Sequence, residues 1–292
     1  MLRFICQIIW LLQFEQEGLL VKKSLVDVAF MSEKRKLVLL LLKDGARDME
    51  DLLFALDTSR MALLPQVRIL EEHHLVSHYR DTYELTKIGK LVVDEMCPLL
   101  DTIDVLNEGI SYWGTRSLDF IPPHLLNRIN ELGKSKIITP SPADMYDIHE
   151  DFHEMSKNSS AVFSVTSFLY SHFPELFDEI TLHGAHLSVI IPGELFNKLR
   201  MSNSIGLERI LSNNRVDLFV HPGSFRFLSF GYNDNNAILT PLNDSGDFDN
   251  RHILCTDPRA LQWIKELYEH YLKDAVAVTL MDVRPMLQAD AN

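Results

Sequence analysis

The sequence predicts an α+β winged helix-turn-helix over residues 24–95, followed by an α/β domain over residues 119–275. Two observations predict it. From Leu52 to Val93 the chain reads helix, tight turn, helix and short hairpin, ending in Tyr-x-Leu-Thr-x-x-Gly. From Gly109 onward, short apolar strand candidates alternate with helical segments. The formal charge of −13 is also unevenly spread: Met31–Glu95 carries ten Lys/Arg against twelve Asp/Glu, and Met96–Asn292 fifteen against twenty-six. The first part is therefore near neutral, which permits contact with nucleic acid without arguing for it.

The N-terminal elements follow from capping and periodicity. Ser24–Phe30 and Ser32–Lys43 read as helices, the second with Leu37, Leu40 and Leu41 at helical spacing. Asp48 can cap the next helix, which carries Met49, Leu52, Leu53 and Leu56 on one face. Asp57-Thr58-Ser59 forms the turn, and Ser59 can cap a helix in which Leu63, Val67 and Leu70 face the core. Arg60, Gln66 and Arg68 are then left to point elsewhere. Arg and Gln suit bidentate contacts with guanine and adenine edges in the major groove. Pro65 demands either a bend in this helix or a regular part that starts later than Ser59.

Leu75–Arg80, Asp81-Thr82 and Tyr83-Glu84-Leu85 read as two strands and a turn, the shape of a wing, with His78 and Arg80 near its tip to meet phosphate or minor groove. Thr86 can cap the following helix. That helix carries the stripe Ile88, Val92, Met96, Leu99, Ile103 and Leu106, which suits either pairing with a second copy or docking on its own domain. Pro98 kinks or divides it and is a candidate hinge in a linker spanning residues 96–118.

In the C-terminal part, strands are expected at Lys136–Ile138, Ala161–Thr166, Leu187–Ile191, Val216–Val220, Phe225–Phe230 and Ala237–Leu242. Helices are expected at Pro123–Leu132, Ala143–Lys157, Pro174–His183, Glu194–Leu199, Leu207–Asn213 and Asp257–Lys273, an alternation that argues for a partly parallel sheet.

The order helix, turn, helix, LEExxLV, hairpin and YxLTxxG resembles the winged-helix domains of arsenic-repressor-like prokaryotic regulators. Carried across, Thr58, Ser59, Arg60 and Gln66 fall on the recognition helix, and His78 to Tyr83 on the wing; His74 stands where that family usually has glycine. The segments SYWGTRSLDFIPPHLLNRINELGKSKII and HILCTDPRALQWIKELYEHY, with FPELFDEI and Gly246-Asp247-Phe248-Asp249, resemble the sensor region of archaeal, chiefly methanogen, winged-helix regulators. Ile264 and Tyr268 depart from the usual Gly and Phe. The resemblance implies a homodimeric regulator of transcription that binds double-stranded DNA, with a C-terminal domain sensing a small-molecule or protein effector. The strand order also resembles half of a phospholipase-D-type fold. No histidine has Lys two residues later, so the HxK motif of those enzymes is missing.

One motif points to chemistry instead. His149-Glu150-Asp151-Phe152-His153 fits H-E-x-x-H, in which His149 and His153 would hold zinc and Glu150 would act as base. The sequence identifies neither a third ligand nor a cleft, and Asp144, Asp147, Asp151 and Glu154 make that helix acidic. A zinc hydrolase is thus one alternative, and a winged helix used only for protein contact is another. The expectation is a non-enzyme without cofactor.

Cys6, Cys97 and Cys255 form no CxxC pair, which argues for a reducing, cytoplasmic setting; Cys97 and Cys255 could sense oxidants, but lone cysteines are usually small buried apolar residues. Residues 1–23 read as an apolar extension too short to span a bilayer, consistent with a start called too early, and residues 276–292 as a tail.

Overall fold

The structure, a computed structural model, describes residues 24–140 and 150–283. The extension 1–23, His149, the first part of the helix expected from Ala143, and the end of the tail lie outside the described residues. The chain divides into two compact units, Met1–Pro98 and Leu99–Asn292.

In the first unit, side-chain caps set the helix starts. Ser24 Oγ accepts from Asp27 N–H at 3.1 Å to open α1 (Leu25–Phe30), and Ser32 Oγ accepts from Arg35 N–H at 3.5 Å to open α2 (Glu33–Leu41). The buried face of α2 carries Arg35, Val38 and Leu39, with Leu42 just beyond its end, while Leu37, Leu40 and Leu41 are only half-buried. An unbroken apolar run from Leu37 to Leu42 hides this phase, and the position one turn earlier is a cation. A two-residue strand, β1 (Arg47–Asp48), precedes α3 (Met49–Ala55), which Asp48 caps through Asp51 N–H at 2.8 Å.

Next comes α4 (Arg60–Glu72), which begins directly after Ser59 and contains Pro65 without interruption. Ser59 has the extended backbone of a cap, but its hydroxyl makes no capping bond; its carbonyl accepts from Ala62 and Leu63 N–H at 3.0 Å each. The hairpin β2 (Val76–Tyr79) and β3 (Thr82–Leu85) pairs with β1 in an antiparallel sheet of order β1-β3-β2. Met49, Leu52, Leu63, Val67, Leu70 and Leu75 are wholly buried.

The Tyr-x-Leu-Thr-x-x-Gly motif is a structural clasp. Tyr83 is buried, and Thr86 Oγ1 accepts from Gly89 N–H at 3.0 Å to start α5 (Lys87–Asn107). Thr86 also donates its backbone N–H to Leu75 O at 3.0 Å and its hydroxyl to His74 O. Any Cβ at Gly89 would collide with the Leu75 carbonyl, so the motif ends in glycine for want of space. Pro98 stands inside α5, which remains one helix rather than two.

The second unit begins with the remainder of α5, α6 (Ile110–Trp113) and α7 (Pro123–Leu126). Then follow β4 (Lys136–Ile138), α8 (Glu150–Lys157), β5 (Ala161–Thr166), α9 (Phe173–Leu182), β6 (His186–Pro192), α10 (Gly193–Ser202), α11 (Ser204–Leu211) and β7 (Val216–His221). The chain closes through β8 (Phe227–Tyr232), β9 (Ala237–Pro241), β10 (His252–Cys255), α12 (Pro258–Leu272), β11 (Val276–Ala277) and α13 (Leu280–Val283). The helix expected over Pro123–Leu132 is split into α7 and a 3-10 turn at Ile129–Leu132.

The eight strands lie in the order β11-β7-β6-β5-β8-β9-β10-β4, with parallel pairing only among β5, β6 and β7. This is a mixed α/β domain. Alternation along β5 and β6 sends Val165 and Ile190 to one face, against Trp113, Leu125, Trp263 and Leu267. It sends Val162, Val189 and Ile191 to the other, against Phe173, Phe177, Leu207 and Ile210. Val105, Tyr112 and Trp113, from the stretch read as a linker, belong to the first of these cores, and β11, from the stretch read as a tail, pairs with β7.

His74 lies between α4 and β2 with φ 58°, a left-handed conformation, and its side chain is exposed. For an L-residue other than glycine that conformation costs about 1–2 kcal/mol. His74→Gly is expected to raise the stability of the first unit by about 1 kcal/mol. A shift of the urea midpoint to higher concentration, with an unchanged slope, checks it.

Candidate nucleic-acid interface

The candidate surface is built from α4 and the hairpin tip. At about 100° per residue, Arg60 and Arg68 lie about 80° apart and share a side of α4. Gln66 is about 120° from Arg60, on the opposite flank of the Leu63–Val67–Leu70 stripe. The three side chains therefore cannot act on one edge. Arg60 and Arg68 are exposed, whereas Gln66 is half-buried.

Gln66 is turned inward: its Oε1 accepts from Arg35 Nη1 at 2.7 Å and from Ser32 Oγ at 3.2 Å. The expectation that Gln66 points away from the body is corrected by this pair. Arg35 is buried, and its guanidinium also donates to Val28 O at 2.6 Å and Asp27 O at 3.1 Å in the last turn of α1. A cation suits the end of a helix, where carbonyls lack partners and the dipole is negative. Gln66 supplies the remaining acceptor. Nothing in the sequence marks Arg35 for this role, because a charged residue in a helix is ordinarily exposed.

The exposed cations have acidic company. Arg60 Nη2 lies 3.2 Å from Asp81 Oδ1, and its Nη1 is 4.0 Å from Glu50. Exposed pairs of this kind contribute about 0–1 kcal/mol, so a phosphate could displace either carboxylate. Arg68 has no ion-pair partner among the described residues. Arg80 occupies the hairpin turn with φ 60°, and its guanidinium lies 5.3 Å from the Tyr79 ring centre. Thr58 is half-buried at the turn, where its N–H donates to Leu53 O at 3.2 Å, and Ser59 is exposed.

Two wing residues are placed otherwise than expected. Tyr83 faces the core, not the solvent, because β3 alternates and the neighbouring Thr82 and Glu84 take the outer side. Burial, followed by the charges of Asp81 and Glu71, holds its hydroxyl pKa above the usual value. His78 is exposed, but its Nδ1 is engaged by Glu71 Oε1 and its ring stacks on Tyr83 at 5.4 Å. The surface that remains consists of Arg60, Arg68 and Arg80, with Asp81 as the counter-charge that the sequence did not single out.

The rival motif is not assembled into a metal site among the described residues. His149 lies outside them, and His153 Nε2 is paired with Glu179 at 3.1 Å. No group of three or more His, Cys, Asp or Glu side chains is arranged to hold a metal among the described residues.

The segments that prompted the sensor resemblance turn out to be packing devices. Arg116, from SYWGTR, is buried, pairs with Asp249 of the Gly246–Asp249 element, and lies 4.1 Å from the Tyr112 ring centre. Trp263 Nε1 donates to Leu125 O at 2.8 Å. The departures are accommodated: Ile264 is wholly buried, and the hydroxyl of Tyr268 meets Ser188 Oγ at 2.8 Å.

Known proteins share both parts of this arrangement. Residues 145–274 match the family of the middle domain of the methanogenesis regulatory protein FilR1, and residues 24–108 match that of the HVO_A0261 N-terminal domain. The methanogenesis regulatory protein FilR1 of Methanothrix harundinacea is 24% identical over 253 residues. The chain is similar to FilR1 over most of its length. That alignment covers 84% of this chain and 56% of FilR1, so the chain spans little more than half the length of this relative.

FilR1 is named for regulation, not for catalysis. Solved structures are similar only weakly. TrmBL2, an archaeal chromatin protein with a novel mode of DNA binding, has a TM-score of 0.39 at 12% identity, covering 87% of this chain and 97% of its own. The phospholipase D family member Nuc of Salmonella typhimurium has a TM-score of 0.38 at 11% identity, covering 50% of this chain and 99% of its own. No helix among the described residues is long and apolar enough to cross a membrane.

Two outcomes follow from the placements. Gln66→Ala leaves a donor of buried Arg35 unpaired and should destabilise the first unit by about 1–3 kcal/mol. Differential unfolding checks this, and any DNA sequence preference should be unchanged while the protein is folded. Cys255 is buried, and burial, with Asp257 nearby, pushes its thiol pKa up to about 12. It should therefore resist alkylation by iodoacetamide at pH 8 in the native state and react once unfolded, as peptide mass spectrometry would show.

Proposed function

We propose that the chain is a homodimeric, sequence-specific DNA-binding regulator of transcription. In this reading α3, α4 and the hairpin act as a winged helix-turn-helix, and the second unit responds to an effector. The observation that carries it is the set of exposed arginines, Arg60 and Arg68 on one side of α4 and Arg80 at the hairpin turn. Homology to FilR1, with the match of residues 24–108 to the HVO_A0261 N-terminal domain, supports a regulatory reading.

Arg68 reads base edges, Arg60 exchanges Asp81 for a phosphate or base, and Arg80 anchors the wing. Thr58 and Ser59 lie at the start of α4, where backbone N–H groups face a phosphate. Gln66 and Tyr83 hold the surface in shape and make no contact with DNA. Dimerisation is supported by the exposed apolar residues Ile88, Leu91, Leu99 and Ile103 of α5. Pairing would set two readers on successive half-sites.

A protein-contact reading has one observation in its favour: Phe54 and Met61, flanking the turn between α3 and α4, are each 91% exposed. DNA titrations over a salt series separate the two. Arg68→Ala and Arg80→Ala should each weaken binding about 10-fold and lower the slope of log affinity against log salt by about 1. Asp81→Asn, by freeing Arg60 and removing a negative charge, should tighten it. Unchanged affinity in all three variants would favour protein contact.

A further inference from the structure

We propose that the second unit binds a small, uncharged, mainly apolar molecule carrying one or two oxygen atoms, in the cavity between the β5–β6–β8 part of the sheet and α9. The inference rests on the reading of this unit as the responsive part only for its consequence, not for the binding itself. Its cavity has a volume of about 180 Å³. A dry cavity of about 150 Å³ holds benzene, so the space suits a ligand of roughly six to twelve heavy atoms.

The floor carries the decisive chemistry. A sheet face covered by helices is normally lined with Val, Ile and Leu. Here Val162, Leu187 and Val189 obey that rule, but the same face carries Ser164 and Thr166 on β5. Thr166 is paired across the sheet with Ser229 of β8, and Ser229 with Thr240 of β9, so hydroxyls form a row over three strands. Thr166 is occupied in the turn beyond β5, where Oγ1 donates to Phe168 O at 2.7 Å. Ser229 reaches Thr240 only at 3.5 Å, and Ser164 Oγ has no hydrogen-bond partner among the described residues. Ser164 and Ser229 are half-buried, so their hydroxyls face the cavity with hydrogen-bonding capacity to spare for a ligand.

The walls decide the rest of the ligand. Phe168 and Tyr170 follow β5, Phe177 comes from α9, and Phe152 from α8, giving aromatic surface on several sides. Among the described residues no Lys or Arg lines the cavity, and His153 at its margin is paired with Glu179. Among the described lining residues a carboxylate or phosphate would find no cation, and an ammonium ion no carboxylate. What fits is an aromatic or short aliphatic body whose ketone, alcohol or amide oxygen faces Ser164 and Ser229.

The test uses the full chain with acetophenone and benzyl alcohol as neutral probes, and benzoate and benzylammonium as charged counterparts, followed by saturation-transfer NMR titration. The neutral probes should bind at least 10-fold more tightly than either ion. Ser164→Val, which fills the floor and removes the hydroxyl, should weaken neutral binding at least 10-fold. Leu176→Phe, which narrows the cavity from α9, should do the same if Ser164→Val fails to fold. Equal binding of ions and neutral probes, or no loss in a folded variant, overturns the site. Repeating the DNA titration with saturating acetophenone separates the two ideas. Probe binding with no change in DNA affinity upholds the site and overturns the effector role; absence of binding overturns the site and leaves the DNA reading standing.

Discussion

Arg35 is a full positive charge buried in the first unit with no carboxylate in reach among the described residues, and the arrangement around it depends on how that charge is satisfied. Two backbone carbonyls from the end of α1 and the side-chain oxygen of Gln66 on α4 accept its hydrogen bonds. Three helices thereby meet at one guanidinium. A buried ion left with an unpaired donor is destabilising, so the contact fixes the angle of α4 about its own axis. With Gln66 committed inward, Arg60 and Arg68 are the side chains that α4 can offer outward. The second constraint is spatial: Leu75 O lies so close to Gly89 that the hairpin and the start of α5 cannot separate without losing the Thr86 bonds.

The second unit solves a similar problem with different residues. Arg116 is buried but meets Asp249, and the Tyr112 ring stacks beneath the guanidinium. Burial pushes the Tyr112 hydroxyl pKa up to about 12. The segments that look conspicuous in the sequence thus close the fold, whereas the cavity is lined by unremarkable Ser, Thr and Phe residues.

Much of the fold was legible because periodicity and capping are local. Ala161–Thr166 and Lys136–Ile138 are strands over the very residues expected, and Asp48 and Thr86 cap as their positions imply. What escaped was non-local. β10 lies in a stretch to which no strand was assigned, and β1 is two residues long, too short to show a period. The strand order, with three parallel strands inside an otherwise antiparallel sheet, leaves no trace in local patterning. For the candidate surface, residue types were legible but orientation was not. Gln66 and Tyr83 look polar enough to face solvent, yet one meets a buried cation and the other lies on the inner side of β3. Asp81 was read as a turn residue, and its charge matters only because the fold sets it beside Arg60.

In the proposed DNA-binding reading, bulk charge gives the chain little help. At a net charge of −13, non-specific attraction to DNA would be weak, and that reading assigns discrimination to a few exposed arginines. The most direct test is selection of binding sites from a random duplex library with the full chain, followed by hydroxyl-radical footprinting of the winners. A sequence-reading dimer should enrich one motif as two half-sites, protected with centres about 10 base pairs apart. Absence of an enriched motif, or protection with no sequence preference, would contradict it.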